Sequence, residues 1–454
     1  MIAKKSLVAL AAAGIGGVMS PAHAQVDPKA VAKAIAVSDP AQATVTPDHD
    51  QPLADKGITL SLNYTGEAAA NPTGGVRQKA AYAGQIYAGV DLDLARIAGI
   101  SGGAVHVAVT NRHGENLSNI AIGNNTSVQE IWGTQNTHLA ILTYEQKLLD
   151  GALAIEVGKS QANIHFLNSP LYCHFQSNSA CGNPTFVFKN SNFTYFPASS
   201  WMAKAMLTVD SNWFAHAGIY EVNPNRKRPN DDGFSLSFRG GTGFIVPFEL
   251  GYKSDYTNAR LPRHLILGGW IDRGDYADPL LDTQGGSAAL TGRPARTLKG
   301  RSGAYVRFDQ TLTRPDPNSQ RGLTVFGVAM TNLSGRIEES RFLELGLVQN
   351  GTFAGRDADT VGFVINDQRF SDLAIQRMNA LRVAAGGQPT VRRNQIMMEL
   401  TYGAQLGRAI RISPNLQYIL HPDQTGAPTR VTDIPDAFVV GFKFTIDAMK
   451  LFNR

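Results

Sequence analysis

Phe438, Val440, Phe442, Phe444 and Ile446 are apolar, and Gly441, Lys443 and Thr445 stand between them. A period of two marks a strand that sees two environments, because successive side chains point to opposite faces. The same rhythm starts at Gly57, with Ile58, Leu60, Leu62 and Tyr64 set against Thr59, Ser61, Asn63 and Thr65. It returns over 85–94, 244–253, 395–405 and 410–418. The polar face carries charges of both signs deep in the segments, at Asp91, Arg307, Glu399 and Lys443, while the other face stays apolar throughout. A soluble sandwich needs a polar outer face. A greasy face toward lipid and a polar face toward a wet lumen is instead the pattern of a membrane β-barrel. Tyr64, Tyr252, Tyr402 and Tyr418 fall near segment ends, as an interfacial girdle requires.

Segments of this kind start near 57, 79, 103, 137, 151, 200, 212, 243, 262, 301, 320, 341, 359, 393, 408 and 437. They predict an all-β fold, a transmembrane antiparallel barrel of about 16 strands, whose closure removes sheet edges and leaves an aqueous channel. Tight connections are expected at Asp150-Gly151, Asp210 to Asn212 and Gly407-Arg408, and long ones over 159–199, 222–242, 274–300 and 370–392. In such barrels short turns face the periplasm and long loops face outside. Within one long loop, Ala374, Met378 and Leu381 have helical spacing, which predicts a helix over 371–385.

The chain opens differently. Lys4 and Lys5, an apolar run from Leu7 to Val18, and Ala22-His23-Ala24 read as a cleaved signal peptide over 1–24. Residues 25–56 lack alternation and contain Pro28, Pro40, Pro47 and Pro52, so they read as a periplasmic segment before a porin domain over 57–454. After the leader nothing approaches the ~18 consecutive apolar residues of a membrane helix. The expected location is therefore the bacterial outer membrane.

Composition narrows the function. A net charge of +5, with its Lys and Arg residues scattered, gives no footprint for nucleic acid. The only cysteines, Cys173 and Cys181, would meet an oxidising compartment after export, and a short disulfide loop is the expected outcome. The rival, a metal site with His165 and His174, matches no common zinc spacing. No cofactor is implied. Gly240-Gly241-Thr242-Gly243 follows no strand-to-helix pattern, and Asp91 with Asp93 reads as lumen lining rather than an acid–base pair. No nucleophile elbow or His-Glu-x-x-His is present, so an enzyme is not expected.

Two stretches stand out: 109–118, followed by Ile120-Ala121-Ile122-Gly123, and 168–176, followed by Cys181-Gly182-Asn183-Pro184. Together with Val128-Gln129-Glu130-Ile131-Trp132-Gly133, Tyr144 to Gly151 and Val157-Gly158-Lys159, they resemble the carbohydrate-selective outer-membrane porins, the OprB family. The likeness spans Gly57 to Phe444. It implies a sixteen-stranded barrel that passes monosaccharides and related polyols by diffusion. Such barrels usually finish on an aromatic residue, whereas this chain continues to Lys450-Leu451-Phe452-Asn453-Arg454.

A sugar offers hydroxyls to polar groups and ring faces to aromatic ones. Candidates for the pore constriction are therefore Arg112, His113, Glu115, Trp132, Tyr172, His174 and Phe175, each with a loop-anchoring or fold-stabilising role as its rival. Small sugars and outer-membrane lipid are the expected partners, and the apolar exterior suits a monomer or a homotrimer equally. The competing functions are a porin for anions or organic acids, or for general diffusion, and a β-rich hydrolase. Mixed lumen signs weigh against the anion porin, and the missing catalytic set weighs against the hydrolase.

Overall fold

The computed structural model describes residues 53–181 and 184–452, so the leader and most of the segment before the barrel lie outside the described residues. Sixteen strands form one closed antiparallel barrel. In chain order they are β1 (Ile58–Thr73), β2 (Ala80–Asp93), β3 (Gly103–Gly114), β4 (Thr137–Leu148), β5 (Leu153–Ser160), β6 (Ser200–Thr208), β7 (Trp213–Val222), β8 (Gly243–Lys253), β9 (Arg263–Asp282), β10 (Ala295–Thr311), β11 (Gly322–Ser334), β12 (Glu339–Asn350), β13 (Thr360–Phe370), β14 (Asn394–Leu406), β15 (Ile410–Leu420) and β16 (Ala437–Asp447). Each strand pairs with its neighbours in sequence, and β1 closes on β16 with Glu67 opposite Lys443 and Ala68 opposite Phe442.

Side-chain parity sets the two surfaces. Leu62, Ile86, Phe248, Leu267, Leu345, Phe363, Leu400 and Phe442 are exposed on the outside. Glu67, Glu249, Glu344, Glu399, Arg307 and Lys443 are buried inside. Glu67, Glu249, Glu399 and Lys443 are held there by bonds to loop groups, and Arg307 lies 3.5 Å from Asp309 of its own strand, whereas a charge on the outer face would meet hydrocarbon. Aromatic side chains also shape the inner wall. Trp270 lies flat against it because position 303 is glycine: a Cβ there would come within 2.2 Å of the indole.

One long connection is shorter than its sequence suggests. β9 runs on to Asp282 and β10 starts at Ala295, so only 283–294 joins them rather than 274–300. The arm lacks the apolar alternation of a lipid-facing strand and is knitted instead by ion pairs between the two strands: Asp272–Arg301 at 2.9 Å, Asp275–Lys299 at 3.2 Å and Asp278–Arg296 at 2.7 Å. The helix expected over 371–385 is present. Two loop helices matter here, α1 (Thr185–Asn190) and α2 (Asp372–Ala384), and α2 starts at Ser371, whose hydroxyl accepts the Ala374 amide at 3.2 Å. Beyond β16 a short helix, α3 (Ala448–Phe452), begins at once, with Asp447 accepting the Lys450 amide at 3.1 Å.

At the short-turn end, Asp359 ties the β12–β13 turn to β14. Its carboxylate accepts Arg356 Nε at 2.7 Å, the Tyr402 hydroxyl at 2.5 Å and the Gln405 amide at 2.9 Å. Burial pushes its pKa up, but the Tyr402 hydroxyl, the Gln405 amide and the Arg356 guanidinium outweigh burial and hold it below the ordinary 3.8. A depressed folded-state pKa contributes stability that is present above the unfolded value and is lost as pH falls through the folded one. Asp359→Asn is therefore expected to destabilise the barrel near neutral pH, by a margin that shrinks as pH falls below about 4. Urea titrations at pH 7 and pH 3 would read the difference, and an equal gap at both would contradict the assignment.

Candidate functional site

At the end opposite the short turns, two connections turn inward rather than outward. The longer, 161–199 between β5 and β6, is pinned to the wall by inward carboxylates. Glu249 on β8 accepts the Leu167 amide and the Tyr305 hydroxyl, each at 2.7 Å. Glu399 on β14 accepts the amides of Gln176 and Ser177 at 2.7 and 2.9 Å. Asp272 on β9 accepts the Asn192 amide at 2.9 Å. Lys443 Nζ donates to the Phe175 carbonyl at 3.3 Å and stands 3.5 Å from Glu67. Hydrogen bonds to charged groups contribute about 1.5–3 kcal/mol each, more than neutral ones, which is how a loop with little regular structure is held still.

The second inward connection, 115–136 between β3 and β4, docks on the first. The Glu130 amide donates to the Gln176 carbonyl at 2.9 Å, and the Asn178 amide to the Ser127 carbonyl at 3.0 Å. Gln129 Nε2 reaches the Glu67 carbonyl at 2.8 Å, and the Glu67 carboxylate accepts the Ile131 amide at 3.2 Å. Phe186 of α1 packs edge-on against Trp270, and Gln368 Nε2 donates to Thr185 Oγ1 at 2.7 Å. The two segments thus close part of the lumen from β8 round to β16 and β1. Across the lumen, on β3 and β2, His106 with Asp91 keeps solvent contact, with side chains 30% and 23% exposed.

The residues singled out from the sequence divide accordingly. Arg112 points inward from β3, donating Nε to Gln85 Oε1 at 2.7 Å, with its guanidinium 5.6 Å from the centre of the Phe196 ring. Phe196 in turn lies 6.2 Å from Tyr87, so arginine, amide and two aromatic rings adjoin on the inner wall, each largely buried, with 4% of Arg112 and 7% of Phe196 exposed. His113, the next residue of the strand, faces outward: Nε2 is 3.3 Å from the Tyr64 hydroxyl in an external aromatic group, which removes it from the constriction. Glu115 is exposed beyond the end of β3, and Trp132 is half-buried in the second loop. Tyr172 and Phe175 are fully buried, their rings about Phe326 at 6.1 and 5.9 Å, so they wedge the loop against the wall and do not line the passage. His174 stays half-buried, its Nδ1 3.4 Å from Thr360 Oγ1. Cys173 and Cys181 lie side by side, sulfur to sulfur 3.0 Å. Among the described residues no group of three or more His, Cys, Asp or Glu is placed to hold a metal. Asp91 meets His106 at 2.5 Å, whereas Asp93 caps the turn of helix at Leu94–Ala98 by accepting the Ala95 amide.

The anchors Glu249, Glu399, Asp272 and Lys443 are absent from the sequence-derived site. For Glu249, Glu399 and Lys443 the signal was a charge flanked on both sides by apolar residues within a strand, as in Met398-Glu399-Leu400 and Phe442-Lys443-Phe444; Asp272, between Ile271 and Arg273, carried no such signal.

A closed barrel of this size whose lumen is narrowed by inward loops defines an outer-membrane porin. Comparison with known proteins agrees. The model of the carbohydrate-selective porin, OprB family matches residues 77–447. Porin B of Pseudomonas aeruginosa is 29% identical over 407 residues, 86% of this chain and 87% of that protein. The high-pH structure of OprB from Pseudomonas putida superposes with a TM-score of 0.78 at 29% identity, covering 87% of this chain and 95% of that one. OmpF of Salmonella typhi, at 10% identity and a TM-score of 0.51, shares the fold alone. The chain belongs to the carbohydrate-selective porin, OprB family, and is a carbohydrate porin of the bacterial outer membrane.

Proposed function

We propose that the passage admits monosaccharides and related polyols by passive diffusion, and that Arg112 is the wall group they meet at the narrowest level. The observation that carries this reading is the inward-facing set of Arg112, Gln85, Phe196 and Tyr87. A guanidinium and an amide suit hydroxyls, and the rings suit the apolar face of a pyranose. Transit then exchanges part of the sugar's hydration shell for contacts weak enough to release it. Nothing in that cycle forms or breaks a covalent bond or needs a cofactor. Trp132 and His174, both half-buried on the inward loops, are secondary wall groups, and Glu115 acts at the mouth. We further propose that Cys173 and Cys181 are joined after export, which would stiffen the loop tip by removing disordered states. The assembly is a monomer or a homotrimer, a choice on which the lumen does not depend.

The test is sugar block of ion current through single barrels in a planar bilayer. Arg112→Ala is expected to weaken glucose block several-fold, less than the full ~1.5–3 kcal/mol of a charged hydrogen bond because a transit site binds loosely. Unchanged block in folded protein would remove Arg112 from the path. Selective block by phosphate rather than glucose would favour an anion pore instead.

A further inference from the structure

The outer surface carries one rung that the sugar pathway does not explain. In the β12–β13 ladder Arg341 stands directly opposite Arg369. Both point outward, on the same face as Leu343, Leu345, Phe363 and Ile365. Among the paired positions of the described strands this is the only rung occupied by two Lys or Arg residues. Like charges directly opposite one another destabilise a ladder unless something anionic lies between them.

The protein supplies little of that anion. Arg341 reaches Asp367 at 3.7 Å, and Asp367 is also taken by Asn394 Nδ2 at 2.8 Å. Arg369 makes no ion pair among the described residues; the carboxylate that feels its charge, Asp372, is paired with Arg393. Thr331 on β11 and Asn394 on β14 stand opposite Arg341 and Arg369 in turn, which extends the rung into a polar row across four strands. Two residues nearer the middle of the barrel, Ala329, Leu343, Asp367 and Ile396 form the next outward row, and Gly327, Leu345, Ile365 and Met398 the one after. The two guanidiniums therefore sit where the lipid-facing apolar band gives way to the long-loop, extracellular end. Phosphorylated headgroups of the outer leaflet lie at that height. Guanidinium groups hold phosphate oxygens by paired N–H donors and stay charged at any ambient pH.

We infer that Arg341 and Arg369 form a binding site for the phosphate of an outer-leaflet lipid headgroup, with Thr331 and Asn394 as flanking hydrogen-bonding groups. The phosphate occupies the gap between the two cations, and the acyl chains pass Asp367, which Arg341 and Asn394 hold, to run down Ala329, Leu343 and Ile396 and the apolar row of Leu345, Ile365 and Met398 beneath. A soluble anion would find the same donors but bring no acyl chains to the apolar rows beneath, so the site is committed to lipid.

The purified barrel in detergent micelles would be titrated with diphosphoryl lipid A, with the same lipid after enzymatic dephosphorylation, and with inorganic phosphate alone. Native mass spectrometry would count the adducts. Wild type is expected to retain the phosphorylated lipid, and the double variant Arg341→Gln/Arg369→Gln to lose it by roughly tenfold or more. Arg341→Lys/Arg369→Lys, which keeps the charge, is expected to retain most of the binding and guards against loss through misfolding. Equal binding of the dephosphorylated lipid, equal binding by the folded Gln variant, or inorganic phosphate matching lipid A would each overturn the site. Sugar block is expected to be unchanged in all these variants, so this proposal and the assignment of the sugar path stand or fall separately.

Discussion

Replacing Glu399 with alanine is expected to open the pore. The carboxylate is buried and accepts two consecutive loop amides, those of Gln176 and Ser177. Without it both amides lose their acceptor in a poorly solvated place, which costs about 1–3 kcal/mol for each group left unsatisfied. The segment can recover those bonds only by lifting toward water. Phe175 and Tyr172 would then be drawn away from Phe326, and the docked loop at Ser127 and Glu130 would loosen with them, since Gln176 and Asn178 bond to it. Single-channel conductance is expected to rise, and glucose block to fall roughly tenfold, equivalent to ~1.4 kcal/mol of lost contact. Adding Glu249→Ala, which frees Leu167 and Tyr305 as well, should enlarge both effects. The strands keep their ladders in either variant, so heat-modifiable migration of the folded barrel should persist. Unaltered conductance in the double variant would show that these carboxylates do not hold the constriction.

The second large effect concerns a single step along β16. Phe442 is exposed and mid-strand, and Lys443 beside it is buried in the lumen. An arginine at 442 must sit in hydrocarbon near the bilayer midplane, which costs ~2–4 kcal/mol in barrels of this kind. Phe442→Arg should therefore lower the free energy of folding into liposomes, read from urea titrations, by that amount. A charge one residue on, at 443, is already tolerated by the wild-type chain because Glu67 and the Phe175 carbonyl receive it. If Phe442→Arg folded as readily as wild type, the outer face at this level would not be lipid-facing.

Much of the barrel was legible because its cause is local. Alternation placed strand starts within a few residues, with 103, 137, 200, 243 and 437 falling where the strands begin. It misjudged the β9–β10 arm, which is held by ion pairs between strands and carries no apolar face. The site was less legible because it is made by encounters distant in sequence. Gln176 meets Glu399 and Phe175 meets Lys443, and no motif spans such separations. Motif stretches did locate the two inward loops, but not which of their side chains face the passage. His113 shows why: it adjoins Arg112 in the same motif, yet strand parity sends it to the opposite surface. Tyr172 and Phe175 show the other limit, since aromatic residues in a loop serve packing as readily as recognition.

Site-directed probes along β16 test the central geometry most directly. A single cysteine would be placed in turn at 440, 442, 441 and 443 in a background with Cys173 and Cys181 replaced by serine, and each labelled with an environment-sensitive fluorophore. Probes at 440 and 442 should be blue-shifted and quenched by brominated lipid, and those at 441 and 443 quenched by iodide entering the lumen. Bromine quenching at 443 with iodide quenching at 442, or no alternation between neighbours, would contradict a barrel with hydrocarbon outside and water within.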